Sequence, residues 1–111
     1  MMTINELLNK IDLDIVVKSD FSRKIYGGYC GDLLSNVMAK ASKGDLWLTI
    51  QSHQNVIAVA LLTEVAAVIV VENSNIEERA IERARNKNVN IFKTDLSSYE
   101  LAGRLFELGI K

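Results

Sequence analysis

A chain of 111 residues is long enough to bury one core and short for two. Apolar residues make up 49% and charged residues 24%, a balance that excludes a disordered chain. The net charge of -1, with both signs interspersed, offers no basic face for nucleic acid, and no apolar stretch approaches the ~20 residues of a membrane span.

Cys30 is the only cysteine, so no internal disulfide can form, which fits a cytoplasmic location. One Cys and one His are too few for a closed zinc site, and neither a metal nor a cofactor is expected. Residues 1–6 carry no basic n-region of a secretion signal. Proline is absent, so turns fall to Gly, Asn, Asp and Ser.

The first predicted element is a short helix: Thr3 and Glu6 have capping-box spacing, and Ile4, Leu7, Leu8 and Ile11 share a face. Residues 14–17 read as a strand and residues 18–24, with three basic side chains, as an exposed loop. Residues 25–30 read as the next strand. Asp32 then caps a helix with an apolar stripe of Leu33, Leu34, Val37, Met38 and Ala41, which Gly44 stops. Residues 46–50 form a strand, Asn55 caps a helix over residues 56–62, and residues 67–71 form a strand apolar on both faces, as a central parallel strand is. Asn75 and Glu78 give another capping signal ahead of Ile76, Ala80, Ile81 and Ala84. Residues 90–93 are a short strand, and a Ser97–Glu100 capping box opens a helix whose Leu101, Leu105 and Leu108 face inward and which ends at Gly109. The charges from Glu77 to Arg85 read as a solvated face, with i,i+3 spacing for Arg79–Glu82 and Glu82–Arg85 pairs. Strands alternating with single helices predict an α/β fold: a small, mainly parallel sheet of four to five strands with helical crossovers, one domain over residues 1–111.

In such sheets ligands sit beyond the carboxyl ends of the strands, where helix N-termini gather. The candidate ligand-binding residues are therefore Asp32, Gln51, Ser52, His53, Asn55, Asn73 and Thr94. The polar run of residues 51–55, between an apolar strand and an apolar helix, stands out. His53 there has the chemistry to donate to a phosphate or to act as a base, and the same run also reads as a capped loop with a solvated histidine. Gly27-Gly28-Tyr29-Cys30-Gly31 lacks both the dinucleotide spacing and the P-loop ending, so its glycines read as a bulge or a close backbone approach. Cys30 and Trp47 read as core, Asp45 as a turn residue. No nucleophile–base–orienter set is present, so no catalytic residue is assigned.

Gly27-Gly28-Tyr29-Cys30-Gly31-Asp32-Leu33-Leu34-Ser35, Gly44-Asp45-Leu46-Trp47-Leu48-Thr49-Ile50-Gln51-Ser52-His53, Asn55-Val56-Ile57-Ala58-Val59-Ala60 and Ser97-Ser98-Tyr99-Glu100-Leu101-Ala102-Gly103-Arg104-Leu105 together resemble the stand-alone DRTGG-domain proteins. The resemblance implies a fold like the N-terminal domain of HPr kinase/phosphorylase. It also implies an accessory role: related domains sit inside CBS-domain inorganic pyrophosphatases and beside phosphotransacetylase, and stand-alone members accompany iron hydrogenase components. The residues that name the family are absent as a motif, and Ser52-His53 stands where relatives carry Asp-Arg. The expectation is a non-catalytic regulatory or sensor domain that binds a small molecule, a nucleotide among the candidates, or a protein partner. The alternative is a structural homodimerisation module, which the apolar residues around the helix at 56–62 also favour.

Overall fold

In the computed structural model, which describes residues 1–111, ten elements follow in the order α1 (Ile4–Leu8), β1 (Asp14–Val17), β2 (Gly27–Cys30), α2 (Leu34–Lys40), β3 (Asp45–Thr49), α3 (Asn55–Thr63), β4 (Ala67–Val70), α4 (Glu78–Lys87), β5 (Ile91–Lys93) and α5 (Ser98–Glu107). The five strands form one sheet in the order β1-β5-β4-β3-β2. β2 to β5 run parallel in chain order, and β1 closes the far edge antiparallel to β5. The expected α/β architecture is therefore present, with β4 at the centre and every one of its residues buried. No helix is long and apolar enough to cross a membrane.

Strand side chains alternate between two cores. Leu46, Leu48, Ala67, Ile69 and Phe92 pack under α1 and α5 with Ile4, Leu7, Leu101 and Leu105. Trp47, Val68, Val70 and Ile91 pack under α2, α3 and α4 with Val37, Ile57, Val59, Ala80 and Ala84. The three crossover helices thus share one face, and α1 and α5 cover the other.

The capping boxes at Thr3–Glu6 and Ser97–Glu100 form as the spacing predicts. Three other expected caps do not. Asp32 lies outside α2, whose N-cap position is Leu33, because its carboxylate is taken by donors on Thr49, the last residue of β3, and on Ile50 just after it. Asn55 is already inside α3, and its N–H is capped by His53. Asn75 precedes a helix that starts only at Glu78, with Glu77 at the cap. Gly44 does not stop α2, which ends at Lys40 when Ala41 turns extended; it makes the turn into β3 at φ 84°.

Other corrections concern burial. Leu33 and Met38 are exposed, because α2 turns only Leu34, Val37 and Ala41 to the sheet. The polar loop of residues 18–24 hides Phe21, whose ring lies 5.5 Å from Phe92. Cys30 is exposed at the open edge of the sheet. Asp45 is buried at the start of β3, accepting from the Ser42 N–H. Neither Arg79–Glu82 nor Glu82–Arg85 pairs; the one ion-pair contact is His53–Glu77. Gly27 does mark a close approach: a Cβ there would meet Asp45 Oδ1 at 3.1 Å and the Lys111 carbonyl at 3.5 Å. In α3, Val56, Ile57, Val59, Ala60 and Thr63 are buried within the chain, leaving Leu61 and Leu62 facing out.

Candidate functional site

The carboxyl ends of β2, β3, β4 and β5 lie along one edge in strand order. Asp32 follows β2, residues 51–55 follow β3, Asn73 follows β4 and Thr94 follows β5. The seven sequence-predicted residues share this edge but divide between its two ends.

At the β2–β3 end, Asp32 Oδ1 accepts from Thr49 Oγ1 and from the Ile50 N–H, both at 2.9 Å. Gln51 Nε2 donates back to the Asp32 carbonyl at 3.0 Å, and the Gln51 N–H donates to Thr49 Oγ1. Asp32 and Gln51 therefore staple the β2–α2 loop to the end of β3. Replacing Asp32 with Ala removes both acceptor contacts and should lower stability by about 1–2 kcal/mol, read as a lower urea midpoint at unchanged slope, while Asp32→Asn, which keeps an acceptor, should cost under about 0.5 kcal/mol.

Next along the edge, His53 Nδ1 accepts from the Asn55 N–H at 3.1 Å, which fixes the other ring nitrogen as the one free to donate. That nitrogen lies 3.9 Å from Glu77 Oε1, with both side chains half exposed. The Ser52 carbonyl accepts from the Glu77 N–H at 3.2 Å, tying the residue 51–55 loop to the start of α4. Beneath the loop, Val56, Ile57, Val68, Val70, Ile76 and Ile91 fill the space and leave only about 10 Å³. His53 thus lies on a packed floor, with no room for a ligand beneath the loop.

The β4–β5 end differs. α4 leaves β4 toward one face and α5 leaves β5 toward the other, the local equivalent of a topological switch. Glu72 and Asn73 take left-handed backbone, at φ 58° and 52°, and their N–H groups bond the carbonyls of Leu96 and Thr94 at 2.9 and 2.8 Å. Thr94 is buried, and its hydroxyl accepts from the Leu96 N–H. Beside this knot opens a polar cleft of about 310 Å³ lined by Asp12, Asp14, Asn73, Lys93, Thr94 and Asp95.

Sequence reasoning missed Thr49, Glu77, Asp12, Asp14 and Lys93. Asp12 and Asp14 reach the edge because β1 runs antiparallel to β5, with Asp14 opposite Lys93. Strand order is not encoded in local spacing, so no sequence signal marks them. Around the cleft three carboxylates face one lysine, so this end of the edge carries negative potential. Cys30, the one thiol, is pushed above its usual pKa by partial burial and then by the Asp32 charge, so it stays protonated near neutral pH.

The sequence matches the DRTGG domain family over residues 6–108. No curated protein matches it. Its structure is similar to that of the CBS and DRTGG domains of the regulatory region of Clostridium perfringens pyrophosphatase, complexed with the activator diadenosine tetraphosphate. The TM-score is 0.66 at 16% identity, covering 93% of this chain and 45% of that one. This chain thus spans less than half of that regulatory region, and the likeness is one of fold.

Proposed function

Because the chain belongs to the DRTGG domain family, we propose that it is a non-catalytic regulatory module, one domain over residues 1–111, that binds a small polar ligand at the β4–β5 end of the carboxyl edge. The observation that carries this reading is the cleft of about 310 Å³ at the point where α4 and α5 leave the sheet on opposite faces. The clostridial regulatory region, similar in fold, is complexed with a dinucleotide activator, which makes a nucleotide the first ligand class to try. The local charge sets the orientation. With three carboxylates against Lys93, the cleft suits ribose hydroxyls and an exocyclic amine, and polyphosphate would project into solvent. Asn73 and Thr94 would contact the ligand; Asp32, Gln51, Ser52, His53 and Asn55 hold the edge in shape. The unpaired Cys30 supports a cytoplasmic setting.

A thermal-shift series with adenosine, AMP, ATP and diadenosine tetraphosphate tests this. At a ligand concentration of 100 Kd the native state gains about 2.7 kcal/mol, a rise of roughly 10 °C or more in Tm. Adenosine and AMP should act at least as strongly as ATP, and Asp14→Asn should change the response. A flat response to all four at millimolar concentration would count against the reading.

A second reading, that two copies of the chain form the regulatory unit, is favoured by α5. Its inner face buries Leu101 and Leu105, yet its outer face leaves Tyr99 and Phe106 exposed, at 90% and 59%. An unpartnered apolar stripe on a core helix is a recognised mark of an association surface.

A further inference from the structure

An open concavity of about 820 Å³ lies over the outer face of α5, away from the carboxyl edge. Tyr99 and Phe106 stand seven residues apart, two turns of helix, so they project from the same face. Gly103 lies between them, and a Cβ added there would meet nothing within 4 Å. A glycine inside a helix costs about 0.5–1 kcal/mol relative to alanine. Nothing in the single chain explains it: no turn, no positive φ and no neighbouring atom calls for a missing side chain.

Resting on the homodimer reading above, we propose that α5 is the surface through which two copies of this chain associate, crossing antiparallel about a two-fold axis between Ala102 and Gly103. The residue positions match under that operation. The midpoint of Tyr99 and Phe106 falls between residues 102 and 103, so the axis sets Tyr99 of each copy beside Phe106 of the other. Exposed Gly103 and half-buried Ala102, which also packs against the core, are the two smallest residues at the crossing, where a close backbone approach needs them. Glu100 and Arg104 are centred on residue 102, half a residue from this point, and a two-fold still brings Arg104 of one copy within a residue's rise of Glu100 of the other, on both sides of the axis. Within one chain Arg104 forms no ion pair with Glu100 or Glu107, despite the spacing for both. Glu100 and Glu107 against Arg104 and Lys111 balance the charge of the patch, as a self-complementary isologous surface requires. A stable dimer buries about 800 Å² per partner, more than one helix face supplies. A second groove of about 280 Å³ continues the patch to Lys10 and Asp12, sharing Arg104 and Glu107 and again carrying one charge of each sign.

Sedimentation velocity from about 1 to 200 µM gives the test. The unmodified chain should sediment as a dimer at the upper concentrations. Gly103→Arg should fold with an unchanged or higher Tm, since the site is empty in the monomer, and should weaken the dimer at least about 100-fold. Phe106→Glu should do the same, and Leu62→Glu, on α3, should leave the dimer intact. In a Cys30→Ser background, Gly103→Cys should oxidise to a disulfide-linked dimer, because only a crossing at this residue brings two Cβ atoms within reach. A monomer at 200 µM overturns the homodimer reading and this inference together. A dimer that survives Gly103→Arg and gives no Gly103→Cys cross-link overturns the α5 crossing alone.

Discussion

Trp47→Ala should be the most damaging single substitution in the chain, lowering stability by about 3–5 kcal/mol. Trp47 sits mid-strand in β3 and is fully buried. It shares the α2–α4 core with Val37, Ile57 and Val68, flanked in register by Tyr29 on β2 and Val68 on β4. A buried tryptophan contributes roughly 150–250 Å² of contact area, and its removal leaves a void that a sheet hydrogen-bonded on both sides cannot close. Its indole N–H donates to the Gly31 carbonyl at 2.9 Å and so also anchors the turn leading to Asp32. Alanine loses both contributions. Small domains hold about 5–15 kcal/mol in total, and each kcal/mol is worth roughly 4–8 °C in a domain of this size, so Tm should fall by about 15 °C or more. Trp47→Phe keeps most of the volume and loses the donor, and should cost about half as much. Trp47 is the only tryptophan, so its own fluorescence vanishes with the substitution and far-UV circular dichroism is the suitable probe. A loss below about 1 kcal/mol for Trp47→Ala would contradict the packing described for this core.

The fold was legible wherever local chemistry repeats. Both capping boxes formed because a Ser or Thr hydroxyl and a Glu three residues on satisfy each other without help from the rest of the chain. β4 was legible because only a strand covered on both faces tolerates Ala67, Val68, Ile69 and Val70 in succession. The errors came where a polar side chain had a choice of partners. Asp32 is sequence-adjacent to a helix start, yet the Thr49 hydroxyl and the Ile50 N–H, 17 and 18 residues away, claim its carboxylate. His53 spends one ring nitrogen on the backbone of its own loop and keeps the other free to donate. The seven residues do gather at the carboxyl edge of the sheet, where most of them build the edge instead of lining an opening. The cleft beside Asn73 and Thr94 depends on β1 folding back antiparallel on β5, a long-range pairing with no trace in residue spacing. Gly103 carries no legible role in the sequence, because an isolated helical glycine is a weak signal until the empty space around it is known.

Asn90 shows the same principle at a buried position, and Asn90→Asp should give a stability loss that depends on pH. Asn90 is 1% exposed. Its Oδ1 accepts from the Ser19 N–H at 2.8 Å, and its Nδ2 donates to the carbonyls of Asp20 and Ala66 at 2.9 and 3.0 Å. One amide thereby pins the β1–β2 connection, which carries Phe21 into the core, to the residue before β4. Aspartate keeps the acceptor for Ser19 but sets a second oxygen against two carbonyl oxygens. Only the protonated acid can donate there, and it satisfies one carbonyl of the two. The folded state therefore raises the carboxyl pKa above its unfolded value. A raised folded pKa means that the deficit relative to Asn90 is smallest below the ordinary carboxylate range. It grows as pH rises from the unfolded toward the folded pKa and then levels off. Against the unmodified chain at each pH, urea midpoints should show a loss of about 1 kcal/mol near pH 4 and about 3 kcal/mol or more at pH 7. Asn90→Ala, with nothing to titrate, should cost about 2–3 kcal/mol at both. An equal loss for Asn90→Asp at the two pH values would mean that the second oxygen does not face the Asp20 and Ala66 carbonyls, and that the amide is not what holds the β1–β2 connection against β4.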